Sequence, residues 1–147
     1  GEAPFIAVAP HFVCKGQALS GVSGVYNAVE VVGSPVGNVM FYGKGAGAGA
    51  TASAVVGDLM QTMRLGEGIA PTFEKCDTCR DFSEYTTSHY IAFDKEYESL
   101  ARNAFAEAQI IPSDNEFAFI TAPISERELD IALAALSVKP LSHIRIL

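Results

Sequence analysis

The period of the apolar residues changes several times along this chain, and each change marks an element. Residues 24–32, GVYNAVEVV, and 38–43, NVMFYG, are β-branched and aromatic runs separated by GSPVG, which predicts two strands joined by a tight turn. The stretch FYGKGAGAGATASAVVGD, residues 41–58, follows with five glycines. Within TASAVVGDLMQTMR, Ala52, Val55, Leu59 and Met63 recur at helical spacing, with Thr51 placed to cap the first turn. Further on, SHYIAFD (88–94) and EFAFITA (116–122) read as strands. Between them, Tyr97, Leu100, Ala101, Ala104, Phe105 and Ala108 outline one face of an amphipathic helix. Ser125 and Glu128 form a capping box that opens a second helix, with Leu129, Ala132, Leu133 and Leu136 on one face and Lys139-Pro140 as its stop. HIRIL closes the chain as a last strand. A short strand around Gln109 to Ile111 completes the order β-α-β-β-α-β, the split ferredoxin-like arrangement.

Composition divides the chain at nearly the same place. All 13 glycines lie between Gly1 and Gly68, and residues 1–66 hold only three acids (Glu2, Glu30, Asp58) and three bases (Lys15, Lys44, Arg64). The net charge of −7 therefore sits in the second half. Residues 66–88, GEGIAPTFEKCDTCRDFSEYTTS, mix Gly, Pro, Thr and charges without apolar periodicity and read as a linker. The result is an α+β chain with a first segment over 1–66, a linker over 67–87 and a second domain over 88–147. Six charges are too few to cover an independent domain of 66 residues. The second half, another copy of the chain or protein outside this sequence is expected to cover that segment. A homo-oligomer, dimer or higher, follows as the expected state.

The acidic balance argues against a nucleic-acid surface, which needs clustered Lys and Arg. No apolar run approaches the roughly 20 residues of a membrane helix, and an odd count of three cysteines points to a reducing, cytoplasmic setting.

The order strand, glycine loop, helix start suits an anion, because first-turn N–H groups and the helix dipole converge there. Both GKGAGA and GAGAGA satisfy G-x-G-x-x-G/A, but the acid of a dinucleotide fingerprint is missing at its expected distance. A Walker loop fails as well, with Gly45 where Ser or Thr should hold magnesium. Tight packing of helix on sheet and an anion site both remain open readings of the glycines. Cys76 and Cys79 form one C-x-x-C pair where a structural zinc usually needs two, so no metal site is expected. His11 reads as a structural residue, and His89 and His143 fall on strands. No catalytic set emerges from these spacings.

The span QALSGVSGVYNAVEVVGSPVGNVMFYGKGAGAGATASAVVGDLM, residues 17–60, resembles the end of the catalytic region of homoserine dehydrogenase, with its VxGvxNAV, mfyGxGAG and TASAVVxD pattern. The resemblance implies an NAD(P)-dependent oxidoreductase that interconverts aspartate 4-semialdehyde and homoserine, in threonine and methionine biosynthesis. It also implies that the Rossmann domain and the catalytic residues lie upstream of anything in this chain, which would be inactive alone. By motif position Gly47 matches the cofactor-contacting glycine, with Gly45, Ala46 and Thr51 as loop and cap. Gly49-Ala50 departs from the Leu-Pro common before TAS.

A βαββαβ unit after such a region resembles the ACT domain, an amino-acid-sensing module. FAFITAPISERELDIALAAL followed by HIRIL carries that likeness. Asp94 stands where effector-binding members carry an Asp-x-x-Gly turn, but no glycine follows it. An oligomerising role is therefore expected ahead of binding an amino-acid effector. The rival reading is a stand-alone ACT-type module without catalytic function.

Overall fold

The computed structural model describes residues 3–65 and 78–147 and resolves two compact units, one over Lys15–Lys75 and one uniting Gly1–Cys14 with Cys76–Leu147. Most of the expected linker, including Cys76, lies outside the described residues. The first fourteen residues differ from the boundary drawn from composition, since they belong to the C-terminal unit. The reason is a two-residue strand, β1 (His11–Phe12), which pairs in parallel with the last strand of the chain.

In the Lys15–Lys75 unit, strands β2 (Tyr26–Gly33) and β3 (Gly37–Lys44) form the expected antiparallel hairpin, in register from Tyr26 opposite Lys44 to Gly33 opposite Gly37. Alternation sorts its residues onto two faces. One carries Tyr26 stacked on Tyr42 (centroids 4.9 Å apart) and Asn38 donating to Glu30 at 3.0 Å. The other carries Val29, Val31, Val39 and Phe41. Helix α1 runs from Ala48 to Leu65, starting before the Thr51 expected as its cap. None of the described residues in this unit is buried. The apolar content of the segment therefore faces outward, as its scarcity of charge required.

The C-terminal unit holds the core. Strands β4 (Thr86–Thr87) and β8 (Ile124–Ser125) make a small antiparallel pair. Strands β5 (His89–Asp94), β6 (Gln109–Ile111), β7 (Glu116–Ile120) and β9 (Ser142–Ile146) join β1 in a sheet of order β1-β9-β5-β7-β6. Helices α2 (Glu98–Ala104) and α3 (Glu126–Leu136) follow β5 and β8. Without β1, the four long strands have the order and antiparallel neighbours of a split βαββαβ unit. The register sets Ile91 opposite Phe119 and Phe93 opposite Phe117, so these four share a face and pack with Ala101, Leu129 and Leu136 from the helices. Burial of such side chains stabilises by roughly 1.5–3 kcal/mol each.

The helix expected over Tyr97–Ala108 is shorter than its apolar spacing. A 3-10 turn spans Lys95–Tyr97, and α2 ends at Ala104 because Phe105 leaves the helical region (φ −124°, ψ 59°). Its ring still meets Phe119 at 5.1 Å, so the side chain continues the apolar face after the helix has stopped. Ser125 and Glu128 form the capping box as expected, and α3 closes on Ser137 in the left-handed region (φ 57°) ahead of Lys139-Pro140.

Candidate functional site

The glycine loop is built by the end of β3 and the start of α1. Gly45 donates its N–H to the Val25 carbonyl at 2.9 Å, which extends the hairpin by one rung on the loop side. A side chain at Gly45 would overlap the Asn27 amide, so the bare backbone is required there by close approach. Gly47 has φ +112°, a conformation costly for any L side chain, and no atom lies within 4 Å of where its Cβ would be. Its carbonyl accepts from the Thr51 N–H at 3.1 Å, the first bond of α1. Gly47, and not Thr51, therefore occupies the cap position, and Thr51 lies inside the helix.

Ala48, Gly49 and Ala50 carry the first-turn N–H groups that an α-helix leaves without an internal carbonyl. Lys44 and residues 45–49 are exposed around them. A positive helix end, an adjacent lysine and open space at Gly47 together suit the anionic part of a ligand. Gly49 and Gly57 also meet no atom within 4 Å at their Cβ positions, so close helix packing within this unit does not explain them. Beside the loop, Asn27, Val29, Phe41 and Gly43 border a hollow of about 250 Å³. Asn27 is the residue that reasoning from sequence missed. It sits inside the quoted NAV motif, but nothing local tells that its side chain lies against Gly45.

The C-terminal unit was expected to carry an effector turn at Asp94. Asp94 ends β5 as an exposed residue whose side chain caps nothing, and the following turn holds Lys95 donating to the Asp114 carbonyl at 3.3 Å. A cavity of about 520 Å³ bordered by Phe105, Thr121 and Ile124 lies at the other end of α2. Among the described residues no group of three or more His, Cys, Asp or Glu is placed to hold a metal ion. Cys14 and Cys79 are exposed, and His11 donates from Nδ1 to the Ala9 carbonyl at 3.0 Å. His89 and His143 do lie on strands, and they meet Glu126 and Arg145 in a buried polar cluster on the helix-covered face.

The homoserine dehydrogenase family model matches residues 2–60. The homoserine dehydrogenase of Synechocystis sp. is 52% identical over 64 residues, covering 44% of this chain and 15% of that protein. That of Neisseria gonorrhoeae is 27% identical across 99% of this chain and 40% of its own length. Among solved structures, a homoserine dehydrogenase from Thiobacillus denitrificans superposes with a TM-score of 0.73 at 24% identity, covering 95% of this chain and 38% of that one. The Staphylococcus aureus enzyme at pH 6.0 gives 0.62 at 25% identity, with 92% and 36% covered. The chain thus spans well under half the length of these relatives. No helix among the described residues is long and apolar enough to cross a membrane. Over residues 2–60 by the family model, and more faintly along nearly its whole length, the chain is similar to homoserine dehydrogenases.

Proposed function

We propose that this chain is the C-terminal part of a cytoplasmic NAD(P)-dependent homoserine dehydrogenase, inactive alone. The carrying observation is the Gly45-Ala46-Gly47 loop, with positive φ and open space at Gly47 directly before an exposed helix start. In the assembled enzyme, homoserine gives a hydride from its hydroxyl-bearing carbon to NAD(P)⁺ and releases a proton, leaving aspartate 4-semialdehyde. An upstream Rossmann domain holds most of the dinucleotide. This chain supplies backbone N–H groups and a surface without Cβ atoms beside it, with Asn27 holding the loop from behind. The family match over residues 2–60 supports this assignment.

The C-terminal unit is assigned as an ACT-type domain whose task is assembly. The βαββαβ strand order supports it, and the turn after Asp94, which lacks glycine, disfavours capture of an amino-acid carboxylate. One observation favours the second reading, a stand-alone ACT-type module: every buried described residue lies in this unit.

The test is an oxidation assay with homoserine and NADP⁺ on the chain alone and on the chain rejoined to an upstream cofactor domain, with Gly47→Val in both. The expected result is silence alone, turnover when joined, and a raised KM for NADP⁺ in the variant. An unchanged KM in the variant would remove the loop from the cofactor site. A thermal-shift screen against threonine, methionine, lysine, isoleucine and serine tests the second unit, with no shift expected.

A further inference from the structure

His89 is wholly buried on the central strand β5, facing the helices. Its Nδ1 lies 2.9 Å from His143 Nε2 on β9, a distance that admits one proton between two nitrogens, one donating and one accepting. Its Nε2 is buried without a hydrogen-bond partner, 3.9 Å from Glu126 Oε1 at the start of α3, and Arg145 already occupies both oxygens of that carboxylate. We propose that the His89–His143 pair is a proton-operated latch: uncharged, it ties β5 to β9 beneath α3, and proton uptake below neutral pH parts the rings and loosens β9 together with β1.

Charged and titratable groups face the pair from each element packed on it. Strand β9 contributes Arg145, α3 contributes Glu126 and Asp130, β1 places His11 opposite Arg145, and Tyr85 stands near Arg145 ahead of β4. A first proton on His89 would find Glu126 but would also add a cation beside Arg145 in a desolvated site. A second proton sets N–H against N–H and breaks the 2.9 Å bond. Burial is the leading cause that pulls both imidazoles below their ordinary value; His143 and Arg145 add to it at His89 and Arg145 adds to it at His143, while Glu126 opposes in both cases, joined by the Ile124 backbone at His89 and by Asp130 at His143. With folded values below the unfolded 6.5, the unfolded chain binds more protons as pH falls through that value. Stability is therefore complete above it and declines below it. Strand β9 carries β1 with it, since Leu147 donates to the Phe12 carbonyl at 2.9 Å and Phe12 pairs with Ile146.

The experiment follows thermal unfolding and amide exchange of the 147-residue chain from about pH 8 to about pH 5.5, a range set by imidazole titration, beside His143→Gln, which keeps an amide for His89 but cannot be charged. In the unaltered chain the melting temperature falls below neutrality. Opening at Ile146 and Leu147 rises there by up to about tenfold per pH unit for each proton taken up. In His143→Gln that slope is shallower. A flat profile in the unaltered chain, or an equal slope in the variant, overturns the latch. Should the variant not fold, ring NMR titration of the unaltered chain decides. Two coupled rings titrating below the ordinary range support the latch, and either ring titrating at or above that range overturns it.

Discussion

Arg145 holds Glu126 with two parallel bonds, Nε to Oε1 at 2.5 Å and Nη2 to Oε2 at 2.6 Å, and so joins the last strand to the first turn of α3. Glu126 is buried, which raises its pKa, but the Arg145 hydrogen bond and charge outweigh burial and hold it below the ordinary carboxylate value. Arg145→Ala leaves that carboxylate buried and unpaired, and chemical denaturation should show a loss of about 3–5 kcal/mol. Because the folded pKa is depressed, the pair's contribution is present above the unfolded value of 4.5 and lost as pH falls through the folded one. The Arg145→Ala chain should therefore show a flatter acid limb below that value than the unaltered chain, a window separate from that of the histidines.

Gly45 and Asn27 should behave as one unit. Gly45→Ala is expected to destabilise the hairpin unit because the new methyl meets the Asn27 amide, and Asn27→Ala should relieve part of that cost. A double-mutant cycle read by amide exchange in β2 and β3 should return a coupling of about 0.5–3 kcal/mol. Additive effects would mean that the two positions do not touch. Gly47→Ala is strained for a different reason, its positive φ, and should cost about 1–2 kcal/mol without any coupling to Asn27.

The capping box at Ser125 and Glu128 gives a local prediction. Ser125 Oγ accepts from the Glu128 N–H at 3.2 Å while Glu128 Oε2 accepts from the Ser125 N–H at 3.1 Å. Ser125→Ala should lower stability by about 1 kcal/mol in urea denaturation, with the loss in α3 protection beginning at its first turn. The Ser125 hydroxyl and N–H both depress the Glu128 pKa, and NMR of its carboxyl carbon should show that depression lessen in the variant, which keeps only the N–H.

The hairpin face of Val29, Val31, Val39 and Phe41 should be an interface between copies of the chain. Val29 is 62% and Phe41 66% exposed, more apolar surface than an isolated unit keeps without reason. Light scattering at micromolar concentration is expected to show a dimer or larger, and Phe41→Asp should shift the population to smaller species. A monomer in the unaltered chain would contradict this assembly.

Local signals made much of this structure legible in sequence. The capping box names both of its residues within four positions, and the hairpin announces itself through two β-branched runs around a turn. Apolar spacing is less faithful to backbone conformation: Phe105 and Ala108 keep the helical rhythm of α2 because they still face the core, yet the helix has ended at Ala104. Long-range pairs leave no such trace. Nothing near Arg145 points to Glu126, nothing near Asn27 points to Gly45, and a strand of two residues at His11 lies below any pattern. In the glycine loop the positions were readable, but the roles were not, since a run of alternating glycines does not reveal which one takes positive φ or caps the helix.

The pairing of His11 with Arg145 also sets an order of events. The hairpin closes across three residues and needs no other part of the chain, whereas β1 waits for β9, far along the sequence. Closing so long a loop costs entropy that grows slowly with its length, but it cannot happen before the last strand exists. On a ribosome, the segment around His11 therefore emerges well before β5 and β9 and is seated only after they have formed, when its Phe12 ring reaches Tyr90 at 5.4 Å.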